Sequence, residues 1–368
     1  MAEKAIRLGG EATADAIVSA VDTMYSEHTF NEKDFVLKHN DAEIAMDSNF
    51  AAQSFWKDVR VRFFRKKSAV LGLILVVFIV LLAAFGPGMN EYTYSGQELS
   101  QKNFAPRVQV LENFGIFNGD EKMSTTTGSK TVNAYVEKGK EDVYYWFGSD
   151  TYGRDIWTRT WEGARVSLII AVAAAIIDMV IGMSYGLISG YFGGKVDMMM
   201  QRFLMEVANG IPRLVIVTLL LLVLKPGMIT IIFALMLTEW VGMSRIARAE
   251  MLKLKDQEFV LASRTLGAGS FFIIFKEVLP NIIGPIITQV MFSIPTAIFT
   301  EAFLSFVGLG IPVPQCSLGS LISELYNSFT THPYQIIPPM VVMSLLMMSF
   351  NLVADGLREA LDPKMKSM

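Results

Sequence analysis

The run from Val70 to Phe85 has no polar side chain, and comparable apolar runs follow at Val166 to Leu187, Met198 to Leu224, Met228 to Met243, Ile282 to Val307 and Ile336 to Val353. A bilayer core takes about 20 apolar residues per helical crossing, so this chain must fold as a bundle of membrane helices. Composition agrees: charged residues make up 18% of the chain and apolar ones 52%, against about 25% charged in ordinary soluble domains. The spacing predicts an all-α integral membrane protein of about six transmembrane helices.

Charge sets the expected orientation. Lys57, Arg60, Arg62, Arg65, Lys66 and Lys67 precede the first run, and Arg245, Arg248, Lys253 and Lys255 follow the fourth. Both clusters fall on one side under a six-span count, and the positive-inside rule assigns that side, with both termini, to the cytoplasm. Gly86, Pro87 and Gly88 end the first run, which is expected to act as an uncleaved anchor because a long mixed-charge segment precedes it. A polar stretch from Asn90 to about Asp155 is then an outer insert. Gly193, Gly194 and Lys195 turn the chain after the second run, and Asn209, Gly210 and Pro212 should break or kink the third. The expected organisation is a tail over 1–56, an anchor over 57–89, an insert over 90–160, a five-helix core over 161–357 and a tail over 358–368. In the first tail, Ala14, Ile17, Val21 and Met24 form a helical stripe.

Several function classes lose support. A net charge of −3 leaves no footprint for nucleic acid. The single cysteine, Cys316, excludes an internal disulfide, and His28, His39 and His332 are too scattered for a metal or nucleophilic set. Gly190 to Lys195 fails as a phosphate loop, since Val196 stands where Ser or Thr is required, and Gly308-Leu-Gly310 reads as a helix terminus. No cofactor is expected in this chain. If ATP drives it, a separate chain binds the nucleotide.

Three groups of residues suggest work. Glu258 to Asn281 reads as a polar knuckle between two apolar runs: a short helix from Phe259 to Leu266, a break at Gly267, and a second short helix ended by Pro280. Gly182, Gly186 and Gly190 recur every four residues, a smooth ridge for close helix contact within the chain or with another subunit. Asp178, Glu239 and Glu301 lie inside predicted spans, where a charged group costs about 2.5–3.5 kcal/mol on insertion scales. Each is a candidate for a transport path or for a structural hydrogen bond between helices.

The knuckle resembles the cytoplasmic loop by which ABC importer permeases dock on their ATPase subunits, a pattern of Glu-Ala-Ala, three residues, Gly, nine residues, Ile, one residue, Leu-Pro. Ala262, Gly267, Leu279 and Pro280 match it, whereas Leu261, Ser263 and Glu277 replace Glu, Ala and Ile. Phe147-Gly-Ser-Asp-Thr-Tyr-Gly-Arg-Asp155 with Gly163, Arg165 and Ser167 is a second block, and Glu301-Ala-Phe-Leu-Ser-Phe-Val-Gly-Leu-Gly310 a third. Asn351, Asp355, Leu357, Arg358, Leu361, Asp362 and Pro363 complete the set. From about Trp56 to Lys364 the chain resembles the C-type permease of the dipeptide, oligopeptide and nickel branch of ABC importers.

That resemblance implies the type I importer fold and alternating access in the cell membrane. It also implies a homologous second permease, two ATPase subunits holding ATP and Mg, an extracellular substrate-binding protein, membrane lipid around the spans and a peptide cargo. The coupling loop would be 253–281, with Leu261, Ala262, Ser263, Arg264, Leu266, Gly267 and Pro280 at the ATPase contact. Small residues permit close seating, Leu266 offers an apolar anchor and Arg264 can pair with an acidic rim. Import of nickel or another small solute, or a self-contained channel or secondary transporter, remain the alternatives.

Overall fold

A computed structural model describes residues 55–125 and 128–362. The stripe at Ala14, Ile17, Val21 and Met24 lies outside them, as do Pro363 and Lys364. Helix α1 (Phe55–Arg65) leads into α2 (Lys67–Phe85) across Lys66, whose extended backbone breaks the helix between the two. Val59 and Phe63 of α1 are buried, and Lys66 reaches Glu359 at 2.6 Å. This end of the bundle is called the basic pole.

At the other end lies the insert. Strands β1 (Asp120–Thr125) and β2 (Gly128–Asn133) pair antiparallel, and Asn133 caps the short helix α3 (Ala134–Glu137) through Tyr135 N and Val136 N. The buried rings of Phe104, Tyr135 and Tyr145 form its core, with Phe104 and Tyr135 4.3 Å apart. The Tyr135 hydroxyl donates to the Ala105 carbonyl at 2.8 Å, so the ring is buried without an orphaned polar atom.

Among the described residues, five helices are long and apolar enough to cross a membrane. They are α2 with its last turn, α4 (Ile156–Phe192), the pair α8 (Met228–Thr238) and α9 (Trp240–Leu254), α11 (Ser270–Leu309) and α13 (Ile337–Leu361, entered through Pro333). The second span starts at Ile156, ten residues before its apolar run at Val166. Asp155 causes the early start, because its carboxylate accepts from Thr158 N at 2.8 Å and satisfies an open helix-end donor.

The third apolar run is broken where Asn209, Gly210 and Pro212 predict. It comprises α5 (Gly194–Met198), a wide turn over Met199–Met205, α6 (Glu206–Gly210) and α7 (Arg213–Val223). Two further short helices among the described residues are α10 (Glu258–Thr265) and α12 (Leu318–Tyr326). The main core brings together α2, α4, α8, α11 and α13 through Ile79, Ile170, Ile231, Ile298 and Leu346. A second core near the basic pole joins Leu187, Met243, Met251, Val260, Ile274 and Ile282.

Candidate functional site

The knuckle is a capped helix seated on the second core. Val260 is fully buried against that core, which fixes the rotation of α10 and turns the opposite side outward. At the end of α10, Ala268 N donates to Ser263 O at 3.0 Å and Gly267 N to Arg264 O at 3.1 Å, with Gly267 at φ +87°. This paired closure needs the left-handed conformation that glycine adopts without penalty. Leu261, Ala262, Arg264, Leu266 and Gly267 are all exposed, and Leu266 is 88% exposed. Phe271 and Phe272 extend the apolar surface just beyond the turn.

Three details of the expected knuckle change. Ser263 does not face outward freely; its hydroxyl donates to the Glu277 carboxylate and ties the two arms together. Arg264 lies over the Tyr191 ring, 5.5 Å from its centroid, so a cation–π contact already orients it. Pro280 does not end a short helix. The helix runs on from Ser270 through Pro280 to Leu309, because the turn from Ile273 to Val278 is widened to i→i+5 spacing. A widened turn accommodates the hydrogen bond a proline cannot make, and Asn281 Nδ2 donates to Glu277 O at 2.7 Å beside it.

Gly182, Gly186 and Gly190 face α9 of the same chain. A Cβ at Gly182 would lie 2.5 Å from Trp240 O, one at Gly186 2.2 Å from Ser244 O, and one at Gly190 2.9 Å from Met251 Cβ. The two helices therefore approach backbone to backbone, which rigidly connects the knuckle to the second span.

The three intramembrane acids part company. Glu301 has no exposed surface: it accepts from Ser317 at 2.5 Å, Ser305 at 2.7 Å and Ser167 at 3.2 Å. Ser167 accepts in turn from Leu318 N at 3.1 Å, and Ser317 caps α12. Glu301 is thus a knot joining α4, α11 and α12, the structural hydrogen bond between helices that was the other of its two expected roles. Asp178 and Glu239 lie elsewhere, at a widened turn of α4 (Asp178–Gly182) and at the break between α8 and α9. Ser293 of α11 donates to Asp178, and Thr300 donates to Glu239 at 3.4 Å.

A fourth feature was only partly visible in the Gly-Arg-Asp block. Asp150 accepts from Arg154 Nε at 2.6 Å and from Arg159 Nη1 at 2.8 Å, and Arg159 Nη2 reaches Glu324 of α12 at 2.7 Å. Arg154 also donates to Glu324. Arg159 has no exposed surface and Asp150 and Arg154 almost none. Burial works against the Glu324 carboxylate, but Arg159 and Arg154 outweigh it and hold its pKa below the ordinary value. Gly153, at φ +73°, is required because a Cβ there would stand 1.9 Å from Glu98 O. Arg159 and Glu324 lie 165 residues apart in sequence, and no local pattern marks them as partners.

Two family descriptions match stretches of this chain. Residues 182–367 match the binding-protein-dependent transport system inner membrane component, and residues 54–106 match the N-terminal TM domain of oligopeptide transport permease C. The chain belongs to this family of ABC importer permeases. It is 41% identical to the oligopeptide transport system permease protein OppC of Bacillus subtilis, over 85% of this chain and 91% of that protein. It is 38% identical to the dipeptide transport system permease protein DppC of the same organism, covering 90% and 93%. With DppC of Lactococcus lactis the identity is 42%, covering 85% and 92%. A solved inward-facing MetNI methionine ABC transporter chain aligns with a TM-score of 0.46 at 16% identity, covering 54% of this chain and 94% of that one.

Proposed function

We propose that this chain is a permease subunit of an ATP-driven importer that moves oligopeptides by alternating access. It pairs with a homologous permease, rests on two ATPase subunits that hold ATP and Mg, and receives peptide from an extracellular substrate-binding protein. The observation that carries this reading is the knuckle: Leu261, Leu266, Phe271 and Phe272 stand exposed on a structure whose inner side is fully packed. Exposed apolar groups held on a rigid element are the mark of a partner surface. The names of the relatives supply the peptide cargo.

In this reading the basic pole faces the cytoplasm and the insert faces outward, as the positive-inside rule requires of Arg60, Arg65, Lys67, Lys253 and Lys255. Motion of the ATPases reaches α10, passes through Val260 into the second core, and is carried to α4 by the contact of Gly186 and Gly190 with α9. Transport work follows only if the substrate binds the outward and inward states differently.

The test is reconstitution. The complete complex in proteoliposomes accumulates peptide on ATP addition, nickel or a free amino acid does not replace the peptide, and this chain alone carries nothing. Gly267→Val forces a β-branched residue into the left-handed region, at a cost of about 1–2 kcal/mol, and displaces Leu266 and Arg264. The variant complex assembles and hydrolyses ATP but loses at least about tenfold in uptake. Unchanged uptake would remove the coupling role of the knuckle.

A further inference from the structure

Asp178, Glu239 and Ser293 come from three different spans, and all three lie inside apolar runs. The backbone is irregular at two of these points. Asp178 opens a widened turn in α4, and the helix breaks at Glu239. Widened turns in helices concentrate at functional positions, and irregular backbone at membrane depth is tolerated where it lines a water-filled path or is buried in protein.

The polar atoms point to a missing ligand. Asp178 is 3% exposed, Ser293 bonds one of its carboxylate oxygens, and Oδ1 has no hydrogen-bond partner among the described residues. Glu239 is half-buried, close enough to Asp178 for the two to interact electrostatically. Thr300 and the exposed Thr296 lie on the adjoining face of α11. Elsewhere on the spans, the outward side chains Ile74 and Phe78 of α2 and Ile176 and Val180 of α4 are apolar. A half-exposed carboxylate beside exposed threonine marks the side that meets water.

Two carboxylates held close together out of bulk water attract a cationic group strongly. Every unblocked peptide, whatever its sequence, carries one such group at its amino terminus.

We propose that Glu239, backed by Asp178, is an intramembrane waypoint that receives the α-ammonium group of the passing peptide. The waypoint rests on the peptide-importer reading and deepens it. It lets one permease pass many sequences, because it binds a group they share and ignores the side chains that differ. Its two carboxylates are shared among three helices, so relative motion of α4, α9 and α11 alters the spacing of the site and can release the cation.

The experiment places a cysteine at Thr296 in the complete complex. Cys316, the chain's single cysteine, is buried and the unsubstituted chain serves as the blank. Rates of modification by cationic and anionic methanethiosulfonates of equal size are compared in nucleotide-free and ATP-bound states. The cationic reagent reacts faster, and a saturating free-amino peptide slows it. Glu239→Gln lowers the cation-to-anion rate ratio by about tenfold, the size expected when one charge is removed from a partly hydrated site, and Glu239→Asp retains the preference. Asp178→Asn, with Glu239 in place, lowers the ratio two- to threefold. A cysteine that never reacts, as a contact with the second permease would give, or a ratio unmoved by both neutral variants overturns the waypoint. Because the same complexes are assayed for peptide uptake, transport that persists with an unmoved ratio defeats this proposal alone, whereas an unsubstituted complex that imports no peptide defeats the importer reading.

Discussion

Replacing Asp150 by Asn should damage the permease far more than its isosteric shape suggests. The carboxylate accepts from Tyr152 N at 2.8 Å, Arg154 N at 2.9 Å, Arg154 Nε at 2.6 Å and Arg159 Nη1 at 2.8 Å. Two anions and two cations balance in this cluster, and removing one anion leaves an uncompensated guanidinium with no exposed surface. Breaking a buried pair from one side costs about 3–5 kcal/mol. At about 2–4 °C per kcal/mol, the thermal midpoint of the purified complex in detergent should fall by roughly 6–20 °C. Partial restoration identifies the cause. Asp150→Asn with Arg154→Gln returns the cluster to neutrality, and the pair should lose less than the sum of the single losses, with a coupling of about 1–3 kcal/mol. A single variant within about 1 kcal/mol of the parent, or strictly additive losses, would refute the view that charge balance holds the insert and α12 to the second span.

Gly186→Ala should lower the same midpoint, because its methyl group would meet Ser244 O at 2.2 Å and overpacking costs about 1–3 kcal/mol. Gly242→Ala on the facing helix is the control: nothing lies closer than Gln289 Nε2 at 4.0 Å, so the change is neutral or stabilising by about 0.5–1 kcal/mol. The pH profile follows from Glu324, whose folded-state pKa lies below its ordinary 4.5. Its contribution is fully present above that ordinary value and is lost as pH falls through the lower folded value. Stability measured from pH 6 downward should therefore fall in the acid range, and Glu324→Gln should flatten that part of the curve.

The spans and the poles were legible because they rest on local quantities. An apolar run declares its own burial, and the basic clusters leading into α2 and along the second half of α9 need no knowledge of neighbours. The glycine ridge was legible as a ridge, but its partner was not, since spacing of four residues says only that some helix can come close. Pro280 misled because the widened turn that absorbs it depends on the packing of Ile273, Ile274 and Val278 in the second core. Glu301 looked like Asp178 and Glu239 for a similar reason: all three are acids in apolar runs, and only the serines arriving from α4 and the loop before α12 distinguish a sealed knot from a half-open site.

By itself the chain determined where it is oily, where it is charged and which glycines could admit a neighbour, since those follow from the chemistry of adjacent residues; of the about six spans expected, five described helices are long enough to cross and the third run is broken into short helices. Which carboxylate is fully enclosed and which keeps exposed surface was decided by tertiary structure. So was the pairing of Arg159 with Glu324 and the side of α10 that stands free. The physical reason is common to all three. Desolvation and pairing depend on atoms brought within a few ångströms by folding, and sequence distance carries no record of that approach.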